Sequence, residues 1–178
     1  KNEQNISPGE IEEVELETYE RAFYIMGGGG AGDKHDIRNK ETADHSLPYV
    51  LAAALIDGEV MPAQYEIERI RAEDVQALLR RVNITCGDDL TARYPAQSPV
   101  RLRIEMKDGT VFEKEKPGYE GFPASPMSWE SVRGKFDALC GPHTTEGLRG
   151  EIADAVSRLE SVPARELGAL LGRVEEAS

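Results

Sequence analysis

Histidine, cysteine and long apolar runs are scarce in this sequence. Its 178 residues hold 3 histidines and 2 cysteines. Two thiols, Cys86 and Cys140, can pair but do not make a disulfide framework, and no Cys/His spacing reads as a zinc site. A reduced, cytoplasmic setting is the default for such a chain. No apolar stretch approaches the roughly 20 residues that cross a bilayer, and no leader pattern of basic, apolar and small residues opens the chain. Positive charge is short too: 21 bases against 33 acids leave a net charge of -12. Such a chain lacks the basic face of a nucleic-acid binder and repels anionic lipid, so neither nucleic acid nor membrane is expected as a partner. At 39% apolar and 30% charged residues the composition is that of a globule. The length suits one domain, or one and a fragment. The first residue is Lys1 rather than Met, which reads as a piece of something longer.

Residues 11–19 alternate glutamates with Ile11, Val14, Leu16 and Tyr19 and predict a strand. The alternation is cleanest over 100–107, where Val100, Leu102, Ile104 and Met106 oppose Arg101, Arg103, Glu105 and Lys107. Asp108-Gly109 then predicts a type I′ turn, with 110–116 as the returning strand. Residues 82–86 add another strand. Two helices are expected over 46–57, with Ser46 as cap, and over 73–82, with Val75, Leu78, Leu79 and Val82 on one face. Together these predict an α+β two-layer sandwich: an antiparallel sheet with helices on one face. The proline-rich stretch 117–127 reads as a linker. Helices over 128–140, 145–161 and 164–174 follow, with Leu148, Ile152, Ala155, Val156 and Leu159 as a stripe on the middle one. That tail is too short to bury a good core alone.

Between strand and helix lies a long loop, 27–45, expected to be mobile. Gly27 to Gly32 satisfies G-x-G-x-x-G, but the aperiodic DKHDIRN after it is not the helix a dinucleotide site needs, so a hinge or lid fits better. Tyr49 falls in the first turn of the helix capped by Ser46, where spare N–H groups hold a carboxylate and a phenol can donate a proton. A core tyrosine with a bonded hydroxyl is the plain alternative. His45 reads either as part of that site or as a loop histidine bonding a carbonyl. Lys34, His35, Arg38 and Lys40 cluster beside it, either as an attractor for a polycarboxylate or as a solvated loop.

The run KHDIRNKETADHSLPY from Lys34 to Tyr49, continuing VLAAALIDGEV to Val60, resembles the MmgE/PrpD (2-methylcitrate dehydratase) family. Residues 6–16, 74–82, the hairpin at 100–116, and GFPASPMS at 121–128 leading to Lys135-Phe136 are similar too, in the family's order. The resemblance implies a protein of well over twice this length, in which a large helical domain precedes a smaller α+β lid and the chain then returns. On that comparison residues 1–127 are the lid domain. Residues 128–178 are returning helices, and their partner, the helical N-terminal domain, lies outside this sequence. Members include 2-methylcitrate dehydratase, cis-aconitate decarboxylase and an iminodisuccinate epimerase. They act on small di- or tricarboxylates by proton transfer beside a carboxylate, in the interdomain cleft, with no required metal or organic cofactor. The resemblance implies a cytoplasmic homo-oligomer, a dimer, of propionate metabolism. It places Tyr49 and His45 as catalytic residues, and the residues beside them, Lys34, His35, Arg38 and Ser46, are expected to bind substrate. The expected function is the C-terminal part of a dehydratase-like lyase. Alternatives are decarboxylation or epimerisation, or a non-catalytic fragment or subunit that binds a helical partner.

Overall fold

The computed structural model describes residues 6–30 and 32–174. The chain divides into two compact units, residues 1–125 and 126–178. The first unit opens with a 3-10 turn over Pro8–Glu10, followed by β1 (Ile11–Thr18), a three-residue helical turn α1 (Glu20–Ala22) and a π-helical turn over Phe23–Gly27. Then come α2 (Lys40–Asp44), α3 (Leu47–Asp57), a 3-10 turn over Pro62–Tyr65, α4 (Ile67–Ile70) and α5 (Glu73–Leu79). Strand β2 (Val82–Cys86), helix α6 (Asp88–Arg93), and the hairpin of β3 (Val100–Met106) and β4 (Val111–Lys116) complete it.

The four strands run in the order β2-β1-β3-β4. The sheet is mixed rather than antiparallel throughout: β1 pairs antiparallel with β3, but parallel with β2. The reason lies in the connection. Residues 19–81 cross over the sheet carrying α2 to α5, and a crossover of that kind returns the next strand in the same direction. Strand periodicity then sorts the two faces. One row across the sheet runs Val82, Val14, Ile104, Phe112, and the next runs Ile84, Leu16, Leu102, Lys114. Val82, Val14, Ile104 and Phe112 of the first row and Ile84 and Leu102 of the second join Ala52, Ala53 and Leu55 of α3 and Val75, Leu78 and Leu79 of α5 in one core cluster. Val82 falls in both the expected helix over 73–82 and the expected strand over 82–86; it starts β2 within that core, and the helix ends at Leu79.

The opposite face is charged. Glu15 stands opposite Arg103 and Arg103 opposite Glu113; Glu17 stands opposite Arg101 and Arg101 opposite Glu115. Each guanidinium forms ion pairs with the carboxylates on both sides, and Arg101 also reaches Asp89 at 2.9 Å. Alternation with period two therefore builds an apolar inner face and a carboxylate–guanidinium–carboxylate outer face from the same strands.

The β3–β4 connection is not the two-residue type I′ turn expected from Asp108-Gly109. Gly109 N–H donates to the Met106 carbonyl at 2.9 Å, Met106 N–H donates to the Thr110 carbonyl at 2.8 Å, and Gly109 has φ of 85°. This is a three-residue loop, Lys107-Asp108-Gly109, closed by glycine in the left-handed region.

The second unit contains α7 (Trp129–Cys140), α8 (Glu146–Ser157) and α9 (Ala164–Leu171). Leu148, Ile152, Ala153 and Ala155 bury the inner side of α8. Val156 and Leu159, expected on the same stripe, are 39% and 53% exposed. Cys86 and Cys140 are free thiols. Among the described residues no helix is long and apolar enough to cross a membrane.

Candidate active site

The segment 33–49 contains a helix where the sequence suggested only loop. Asn39 caps α2: its side chain accepts from Thr42 N–H at 2.9 Å, and the Thr42 hydroxyl accepts from Asn39 N–H at 3.1 Å. One residue, Ala43, is buried by this helix. The polar segment thus has no apolar period because the reciprocal cap, rather than a buried stripe, holds its first turn. The spacing Asn39-x-x-Thr42 was the readable signal.

Helix α3 begins as expected. Ser46 Oγ accepts from Tyr49 N–H at 3.1 Å, Pro48 sits in the first turn, and Gly58 ends the helix with φ of 85°. Ser46 also donates its hydroxyl hydrogen to the Lys34 carbonyl at 2.6 Å. It is buried, and both functions of its hydroxyl are used within the protein, so it orients the loop rather than presenting a free group for substrate.

Tyr49 does not open onto a gap. Its ring is among the largest fully buried side chains, and its hydroxyl donates to the Gln64 carbonyl. Burial pushes its phenol above the usual tyrosine range. The first-turn position that lends its N–H to Ser46 carries the side chain inward, against the 3-10 turn over 62–65. The plain alternative from the sequence, a core tyrosine with a bonded hydroxyl, describes its placement here.

The expected basic cluster is neutralised by interleaved acids. Arg38 is paired with Asp36 through Nε and Nη2, and Lys40 Nζ donates to Asp44 at 2.9 Å. His35 Nε2 lies 2.9 Å from the Val82 carbonyl, which only accepts, so that nitrogen carries a hydrogen. Its Nδ1 lies 3.3 Å from Asp33 Oδ1. His35 therefore pins the loop to the start of β2 with both nitrogens engaged. Lys34 makes no ion pair among the described residues.

His45 is the exposed group with chemistry to offer. Its Nδ1 faces two acceptors, the Glu41 carbonyl at 3.0 Å and Asp44 Oδ1 at 2.5 Å. Nδ1 must carry the hydrogen, which leaves Nε2 as the lone-pair nitrogen. No hydrogen bond engages Nε2 among the described residues. The Asp44 carboxylate, joined by the Glu41 carbonyl, raises the proton affinity of the ring, and the nearby Lys34 charge works the other way. Asp44 is held below the usual carboxylate range by Lys40 first and His45 second. A carboxylate-oriented imidazole with a free Nε2 is the arrangement of a general base. No group of three or more metal-ligating side chains is found among the described residues.

The glycine run does not stand open. A Cβ on Gly27 would lie 2.8 Å from Ile84 Cγ2, and one on Gly29 would lie 2.5 Å from the Phe23 ring. The run leaves a π-helical turn rather than a strand, so the dinucleotide context is lacking. Ala31 lies outside the described residues.

Comparison with known proteins decides the family. Residues 1–161 match the MmgE/PrpD C-terminal domain. The chain belongs to the MmgE/PrpD family. The 2-methylcitrate dehydratase of Cupriavidus necator is similar to this MmgE/PrpD chain at 29% identity over 173 residues, covering 90% of this chain and 34% of that protein. The cis-aconitate decarboxylase of Mus musculus is 25% identical over 124 residues, covering 70% of this chain and 25% of that protein. The 2-methylcitrate dehydratase of Escherichia coli K12 is 28% identical over 109 residues, covering 59% and 22%. The chain therefore spans between 22% and 34% of the length of these relatives.

Proposed function

We propose that this chain is the lid-bearing C-terminal part of a dehydratase-like lyase that acts on a small di- or tricarboxylate by proton abstraction and elimination. The observation that carries the reading is the Asp44–His45 pair, with Nδ1 committed to two acceptors and Nε2 free. His45 Nε2 removes the proton on the carbon beside a substrate carboxylate. Asp44 offsets the charge that develops on the imidazole, and the unpaired Lys34 ammonium meets the carboxylate on which enolate charge accumulates. Ser46, His35 and the Asn39 cap hold these groups in place. Tyr49 supports them from the core. The family match and the two 2-methylcitrate dehydratases support dehydration of 2-methylcitrate or a related acid.

The decisive experiment incubates active protein with 2-methylcitrate and follows absorbance of the unsaturated product. His45→Gln should lower kcat by about 10²–10⁴-fold. Unchanged turnover in that variant refutes the assignment. Decarboxylation of cis-aconitate is the second reading, favoured by the similarity to the mouse enzyme. Release of carbon dioxide from cis-aconitate, without water exchange on 2-methylcitrate, would select it.

The second unit supports a partner-binding role. Trp129 and Leu171 are 48% and 52% exposed, and Trp129, Val132, Phe136 and Val156 line a groove between α7 and α8. Docking on a helical domain and assembly into a homo-oligomer are the corresponding proposals. Light scattering on the purified chain tests the second: a monomer across the accessible concentration range rules it out.

A further inference from the structure

We propose that Tyr65, which lies across the core from Tyr49, is a catalytic residue of the carboxylate site: its phenol is the proton donor to the departing group. The inference rests on the lyase reading given above. It starts from the fate of Tyr49, whose hydroxyl is spent on the Gln64 carbonyl inside the core. The neighbouring Tyr65 is placed differently. Its ring centroid lies 6.0 Å from that of Tyr49, tilted by 41°, so the buried tyrosine backs it. Lys40 Nζ sits over its ring, 5.6 Å from the centroid. Its hydroxyl has no hydrogen bond among the described residues. It is also not a sealed atom: Thr18 Oγ1 is the buried, unpartnered side-chain oxygen found there. The Tyr65 hydroxyl is therefore unengaged among the described residues and not sealed, on a ring partly buried against the core.

A polar chain starts at the ammonium over the Tyr65 ring. The Lys40 ammonium donates to Asp44 Oδ2, and Asp44 Oδ1 accepts from His45 Nδ1. One carboxylate thus has an imidazole base on one side and, through Lys40, a phenol on the other. The environments push the two groups toward opposite roles. His45 gains proton affinity from Asp44 and the Glu41 carbonyl, whereas partial burial first and the Asp44 charge second push the Tyr65 phenol above the usual tyrosine range. The cation over the ring stabilises phenolate charge as it develops.

The step balances. His45 Nε2 takes the proton from the carbon beside the carboxylate. The C–H electron pair becomes the C=C bond, and the C–O bond to the β-hydroxyl breaks with its electron pair. The Tyr65 proton passes to that oxygen, which leaves as water. The imidazolium proton then returns to the phenolate, directly or through solvent, and both groups are restored.

The test adds cis-aconitate to the full chain carrying ring-labelled tyrosine and histidine and follows the signals by NMR, with Tyr65→Phe and Tyr49→Phe to assign them. The Tyr65 and His45 signals should move with one midpoint, while Tyr49 stays in place. Movement of His45 without Tyr65 overturns the role of Tyr65 and leaves the lyase site standing. No movement of either overturns both. In active protein, Tyr65→Phe should lower kcat by about 10²–10⁴-fold with KM little changed. Wild-type kcat in that variant also overturns the proposal.

Discussion

Replacing Tyr49 by Phe removes a single hydroxyl from a ring with no solvent-exposed surface. The aromatic body stays, so apolar burial is unchanged. What is lost is the hydrogen bond to the Gln64 carbonyl, which is left in the interior without that donor. A buried acceptor stripped of its partner costs about 1–3 kcal/mol. With a urea slope of about 2 kcal/mol per molar for a unit of this size, the midpoint should fall by about 0.5–1.5 M. Tyr49→Ala adds a cavity and should cost about 3–5 kcal/mol. The assay separates the two units by their chromophores. All 6 tyrosines precede residue 126 and the single tryptophan, Trp129, follows it. Near-ultraviolet dichroism of tyrosine therefore reports the first unit and Trp129 fluorescence the second. The Phe variant should shift the tyrosine transition and leave the tryptophan transition in place. A Phe variant with the wild-type midpoint and slope would refute the buried, bonded placement and return the phenol to the cleft.

Three further outcomes follow from the same geometry. Ser46→Ala removes the cap of α3 and the bond to the Lys34 carbonyl together, and should cost about 2–3 kcal/mol in urea titration, with Thr restoring most of it. Thr18→Val replaces a buried hydroxyl that has no partner among the described residues by an isosteric methyl, and should raise stability by about 1 kcal/mol; a loss would show that the hydroxyl is engaged. His45 is bound more tightly to its proton in the folded chain than in the unfolded one, because Asp44 and the Glu41 carbonyl accept from Nδ1. Its contribution to stability is therefore fully present below the unfolded value of about 6.5 and is lost as pH rises through the higher folded value. NMR titration of His45 should show the raised midpoint, and Asp44→Asn should bring it back toward an ordinary histidine.

Strand periodicity carried most of what the sequence disclosed. Alternation in 11–18 and 100–106 located both central strands and sorted their faces, because a half-buried strand cannot hide its period. The direction of β2 was not readable: five residues alternate alike in a parallel or an antiparallel ladder. The short helices α4 and α6 were missed, since four and six residues hold too little period to see. Around the site, the Ser46 cap was legible from its position before the helix. The side toward which Tyr49 turns was not, because a phenol suits a core and a cleft equally. Nor was the pairing of Arg38 with Asp36, which depends on loop geometry that composition does not encode. Tyr65 escaped notice because nothing near it in sequence is charged in a telling pattern; Lys40 and Asp44 reach it only through the fold.

The parallel pairing of β1 with β2 has a consequence for how this protein can change. The chain leaves the sheet after Thr18 and rejoins it beside Val14 at Val82. The residues from Lys34 to Tyr65 are strung on that one excursion, while β3 and β4 stand on the far side of β1. The excursion is a cassette held by its two ends. Its contents can diverge among descendants while the ladder that clamps it keeps the same hydrogen bonds.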